Sequence, residues 1–142
     1  MPHADGLTAQ LWAWMPLCEA LGMRAVRLDA DEVVLELDWR PELCTGGDVL
    51  HGGAIMALAD AAGGACAARN LPDGSVGTST IESKTNFIRA VTGGAVTAVT
   101  APLHVGRTTI VVETVVRDQG GRLVAKVTQT QAVLWPREPA TG

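Results

Sequence analysis

His51-Gly52-Gly53-Ala54-Ile55-Met56-Ala57-Leu58-Ala59-Asp60-Ala61-Ala62-Gly63-Gly64-Ala65-Cys66-Ala67-Ala68 is apolar on almost every side of a helix and carries one carboxylate in its middle. A helix that is hydrophobic all round must be buried. An ionised side chain buried with it costs several kcal/mol unless hydrogen-bond donors meet it. Asp60 is therefore the leading candidate for chemistry. The apolar run from Ala54 to Ala68 is about 15 residues, short of the roughly 20 that a membrane span needs. It is expected to be a core helix ending near Arg69, where Asn70-Leu71-Pro72-Asp73-Gly74 cannot continue the hydrogen-bond ladder.

Upstream, Leu7, Leu11, Trp14, Cys18 and Leu21 recur at three- and four-residue spacing, which predicts a helical segment within residues 1–22, interrupted at Pro16. Met23 to Leu28 and Glu32 to Trp39, joined by Asp29-Ala30-Asp31, read as a hairpin. Downstream, strand-like segments rich in Val, Thr and Ile cover Gly77 to Val91, Val96 to Val105, Thr109 to Arg117 and Arg122 to Trp135. Their short glycine-containing links predict four antiparallel strands in sequence order. One long helix must then cover a five- to six-stranded antiparallel sheet, an α+β architecture, with residues 138–142 as a flexible tail.

The 142 residues suit a single domain spanning 1–142, and 47% hydrophobic with 18% charged content is a globular profile. A net charge of −4 argues against a nucleic-acid partner, which requires a basic surface. Cys18, Cys44 and Cys66 form an odd set without metal spacing, and the start of the chain lacks the pattern of a signal peptide. A reduced, cytoplasmic protein with neither metal nor membrane partner is expected.

Gly52 and Gly53 leave unhindered backbone N–H groups at the positive end of the helix dipole, where an anion or a developing oxyanion could sit. Gly52 and Asp60 are eight residues apart, about 12 Å along a helix, so one helix cannot supply both groups to one site. Two copies packed antiparallel about a two-fold axis would, and Ala57, Ala61, Gly64 and Ala68 would permit their approach. A homodimer is the expectation.

The run from His51 to Ala68 resembles the signature of hotdog-fold acyl-CoA thioesterases, in particular the phenylacetate-pathway, PaaI-like group: His-Gly-Gly, six residues, then Asp within Leu-Ala-Asp. Thr80-Ile81-Glu82-Ser83-Lys84-Thr85-Asn86-Phe87-Ile88-Arg89-Ala90 resembles that group's next strand. The resemblance implies a hotdog fold, dimers that often pair into tetramers, and hydrolysis of an acyl-CoA to the free acid and coenzyme A without a cofactor. It implies Asp60 as nucleophile or general base, Gly52 N–H in the oxyanion hole, His51 bracing the loop, and Thr80 assisting the attacking group. Gly53 and Thr45 would contact substrate. Thr45 stands where many members carry Asn or Gln six residues before the His, and Asp48 stands at a usual Gly position.

Period-two alternation predicts that Thr80, Glu82, Lys84 and Asn86 share a strand face, with Asn86 a substrate contact. Arg89, and Arg107 with Thr108, are candidates for the phosphates of coenzyme A. Two other readings compete with the hydrolase: a non-catalytic acyl-CoA binding module, and a hotdog acyl-CoA dehydratase, which would need a His base beside an acid.

Overall fold

Helix α1 (Gly6–Trp14) begins where Asp5 accepts a hydrogen bond from the Thr8 N–H at 2.8 Å, and Pro16 then opens α2 (Pro16–Leu21). Pro suits the first position of a helix because its missing N–H is not needed there, so the interruption expected at Pro16 is a restart. The computed structural model describes residues 4–140. Residues 138–140 carry no regular secondary structure, and the last two residues of the tail expected over 138–142 lie outside the described residues, as do the first three of the segment 1–22.

Strands β1 (Arg24–Leu28) and β2 (Val33–Asp38) form the expected hairpin. The long helix α3 spans Gly52–Arg69 and ends where expected. Then come β3 (Gly77–Phe87), β4 (Ala95–Val105), β5 (Thr109–Arg117) and β6 (Leu123–Leu134). All six strands join one antiparallel sheet in the order β1-β2-β4-β5-β6-β3. Helix α3 touches every strand. An 18-residue helix is about 27 Å long and six strands span about 24 Å, so a helix only about 10 Å across reaches them all because the sheet curves round it.

The expectation of four strands paired in sequence order is corrected. β3 pairs with β6, and β4 lies between β2 and β5. The error lay in where β3 ends. Its ladder stops at Phe87, and the Ile88 and Arg89 N–H groups both turn to the Val124 carbonyl, at 2.8 and 3.2 Å. Residues 88–94 are thus a crossing and not a hairpin link: Leu50 N–H donates to Val91 O and Trp39 N–H to Gly94 O, both at 2.8 Å. Seven extended residues reach well over 20 Å, ample for the roughly 14 Å across three strand spacings.

The core lies between α3 and the concave face of the sheet. Leu35, Leu37, Val96, Ile110, Val112, Val116 and Val127 supply the sheet side, and Leu58, Ala62, Ala65 and Cys66 supply the helix side. The small helix residues let the backbone settle close to the sheet. No helix among the described residues is long and apolar enough to cross a membrane.

Candidate active site

The loop before α3 is folded by its own backbone. Thr45 N–H donates to Val49 O and His51 N–H to Leu43 O, each at 2.8 Å, and Cys44 bridges Leu50. Asp48 has φ 57°, the left-handed region that glycine occupies without strain, and it stands where the family pattern has Gly. Its carbonyl accepts the Trp39 indole N–H at 3.0 Å, which fixes that turn.

His51 is the N-cap of α3. Its Nδ1 accepts the Gly53 N–H at 2.7 Å, and its carbonyl accepts from Ala54 and Ile55 at 2.9 and 3.2 Å. An Nδ1 that accepts cannot also carry the proton, so the proton of the neutral ring is on Nε2. The Gly53 N–H is consumed by this cap. The Gly52 N–H has no acceptor among the described residues and remains an open donor at the positive end of the helix. It opens on a hollow of about 340 Å³ lined by Thr45, Val49, Ile55, Phe87, Ile88 and Arg89 among others, so Thr45 and Arg89 do gather there. Phe87 sits over Gly52 so closely that a Cβ at position 52 would stand 3.1 Å from its ring.

Asp60 is exposed, and the expectation that it is buried in its own subunit is corrected. Gly53, Met56, Ala57, Asp60, Gly64 and Ala68 form a stripe along α3 that the sheet does not cover. The apolar run is two-faced in its contacts although uniform in composition. From the sheet side the buried Gln129 amide reaches up and donates to Asp60 Oδ1. The carboxylate also lines an open groove of about 500 Å³ with Trp14, Met15, Gly64, Ala68, Thr80 and Gln131. Cys18 is the nearby thiol, and burial, with the Asp60 charge second, pushes it up to about 11. It is therefore a neutral thiol near neutral pH and no nucleophile.

Thr80 shares that groove, and its Oγ1 accepts from Gln131 Nε2 at 2.7 Å. The face-sharing of Thr80 with Glu82, Lys84 and Asn86 is corrected. Thr80 faces Gln131 and Glu82 faces Thr130, so Ile81 is the extra residue of a β-bulge, and the alternation shifts by one. Thr80, Ser83, Thr85 and Phe87 therefore lie on the helix side. Glu82, Lys84 and Asn86 point to the other face, where Lys84 Nζ donates to Asn86 Oδ1 at 2.6 Å.

Arg107 and Thr108 lie in the β4–β5 link, at the end of the sheet opposite Arg89. The Arg107 guanidinium stacks 4.2 Å above the Trp135 ring, whose indole N–H donates to the Arg107 carbonyl at 3.0 Å. Thr108 O accepts the Val133 N–H at 2.9 Å. The 11-residue β3, about 35 Å long, separates the two arginines within one chain. Among the described residues no cluster of His, Cys, Asp and Glu could hold a metal ion.

Sequence reasoning missed Gln129, Gln131, Trp14 and Phe87. The glutamines had a signal: Val127, Gln129, Gln131 and Val133 alternate onto one strand face, so two amides fall in a core stripe.

The sequence model of the thioesterase superfamily matches residues 47–125. The proofreading thioesterase EntH of Cronobacter turicensis is 38% identical over 110 residues, covering 75% of this chain and 77% of that protein. ComA2 of Bacillus subtilis, which carries a provisional esterase name, is 37% identical over 121 residues, covering 83% of this chain and 94% of that one. In fold, a thioesterase from Haemophilus influenzae matches with TM-score 0.85 at 24% identity, over 99% of this chain and 96% of that one.

Proposed function

The chain belongs to the thioesterase superfamily and is a thioester hydrolase of the hotdog fold, and from that premise we propose that its substrate is an acyl-CoA with a small or medium acyl group, aromatic ones included. The uninterrupted spacing from His51 to Asp60 supports placing it with the phenylacetate-pathway group. The Gly52 N–H of one copy would receive the carbonyl oxygen as it becomes an oxyanion, and Asp60 of a second copy would attack the carbonyl carbon or take the proton of the attacking water. If Asp60 attacks, the C–S bond breaks to leave a mixed anhydride that water then hydrolyses to the free acid; if water attacks, the acid forms directly, and in either course the departing coenzyme A sulfur takes up the proton that the water gives up. His51 positions the Gly52 loop as its cap, and Thr80 stands beside the acid.

One observation carries this reading. Each chain presents two unfinished halves, an acid on an uncovered helix stripe and a free N–H two turns away, with β3 as an unpaired sheet edge beside them. Antiparallel docking of two copies would bring unlike halves together. It would also bring the Arg89 end of one sheet towards the Arg107 and Thr108 end of the other. A cytoplasmic homodimer of single-domain chains, able to pair into a tetramer and needing no cofactor, is the assembly we propose.

The test is thiol release across short, long and aromatic acyl-CoAs beside Asp60→Asn. The variant is expected to lose at least about 100-fold in kcat, the scale of positioned acid–base assistance. Undiminished turnover in a folded Asp60→Asn protein removes the assignment, and tight acyl-CoA binding without thiol release by the unaltered protein makes it a binding module.

A further inference from the structure

We infer that Gln129 and Gln131, two buried amides on β6, are positioning residues that hold Asp60 and Thr80 from beneath in the orientation hydrolysis requires. The inference rests on the proposed role of Asp60.

Both glutamines are only 1% exposed, in a strand face otherwise filled by Val127 and Val133. Placing two amides there is unfavourable unless they are hydrogen-bonded. A valine or leucine would serve packing better. Their partners are the two polar groups of the groove. Gln129 donates to Asp60, and since a carboxylate only accepts, the Nε2 end must face it. The Oε1 end is then left buried with no partner, a penalty that packing alone does not explain. The contact also needs a gap in α3, because a Cβ at Gly63 would stand 1.8 Å from Gln129 Oε1. Gly63 is thus a window through the helix wall.

Gln131 works the same way one pair along. Thr78 Oγ1 donates to Gln131 Oε1 at 3.0 Å, which orients the amide so that its Nε2 donates to Thr80 Oγ1 at 2.7 Å. An oxygen that accepts from Gln131 has its own O–H free to point elsewhere, and Thr80 lines the groove together with Asp60. The Thr78–Gln131–Thr80 chain therefore fixes the direction of one hydroxyl. Gln129 ties down one carboxylate oxygen and leaves Oδ2 for substrate or water.

The test uses Gln129→Met, Gln131→Met and Gly63→Ala in the full chain. Methionine keeps the volume of the side chain and removes the donor. Gly63→Ala leaves Gln129 in place but pushes its amide aside, since the obstructing atom is the end of a flexible side chain. Each variant is expected to lower kcat by about 10- to 100-fold, the scale of a misplacement near 1 Å, with KM within about twofold. Adding Gln129→Met to Asp60→Asn is expected to cost nothing further, because the amide acts through the acid. The inference is overturned if folded Gln129→Met and Gly63→Ala keep their kcat, if folded Gln131→Met keeps its kcat, if KM rises in step with the loss of kcat, or if Gln129→Met costs as much in the Asp60→Asn background as alone. Full activity of Asp60→Asn itself would instead sink the role of the acid.

Discussion

Asp60 stands on the uncovered stripe of an alanine-rich helix, one carboxylate oxygen held by the Gln129 amide from the sheet side. Composition says that Ala54 to Ala68 is apolar; it does not say which residues are left uncovered, because alanine and glycine are equally at home against a sheet or a second helix. The same limit applied to β3. Alternation from Thr80 through Asn86 is a sound rule until one residue is inserted, and no feature of Thr80-Ile81-Glu82 announces the bulge. Asp48 is the opposite case. Its departure from the family's glycine was legible, and the left-handed backbone there gives the departure a physical cost. Asp48→Gly is accordingly expected to stabilise the protein by up to about 1 kcal/mol, the lower end of the left-handed penalty, read as a shift in the denaturant midpoint at unchanged slope.

At the level of elements, helix and strand positions came through well where periodicity was strong: α3, the β1–β2 hairpin and the last three strands lie where the sequence places them. Pairing did not, because the partner of β3 is chosen by the path of residues 88–94, and a glycine pair reads alike in a hairpin and in a crossing. Packing of the elements also sets the thiol chemistry. Cys18 on the buried side of α2 and Cys66 on the buried side of α3 are both pushed up to about 11, chiefly by burial. Alkylation of the native protein at pH 8 is therefore expected to mark the half-buried Cys44 first, with Cys18 and Cys66 reacting only after unfolding. The linkage has a definite sign. An unfolded thiol releases its proton near 9.0 while the folded one holds it to about 11, so the contribution to stability is intact below 9.0 and falls as pH rises through that window. Denaturant midpoints taken from pH 8 to 11 should decline less steeply in a Cys18→Ala, Cys66→Ala double variant.

For the whole molecule, the two-copy site can be tested without seeing it. Pro is well tolerated at the first helical position, and His51, with φ −62° and ψ 133°, already has the extended conformation that a following proline requires. Gly52→Pro thus deletes the N–H donor at little cost to the helix, with Phe87 moving aside. Mixed after unfolding with Asp60→Asn, it should regain about a quarter of the unaltered activity, because about half of the random pairs are mixed and each holds one intact site. No recovery in pairs shown to have mixed would mean that each chain works alone. The sheet order carries a last consequence, for biosynthesis. β3 has a single neighbour, β6, and their ladder runs from Phe87 opposite Ala125 to Gly77 opposite Leu134. Translation delivers β3 long before that neighbour, so the nascent chain must hold an unmatched strand in waiting, a slow and aggregation-exposed interval for pairings so distant in sequence.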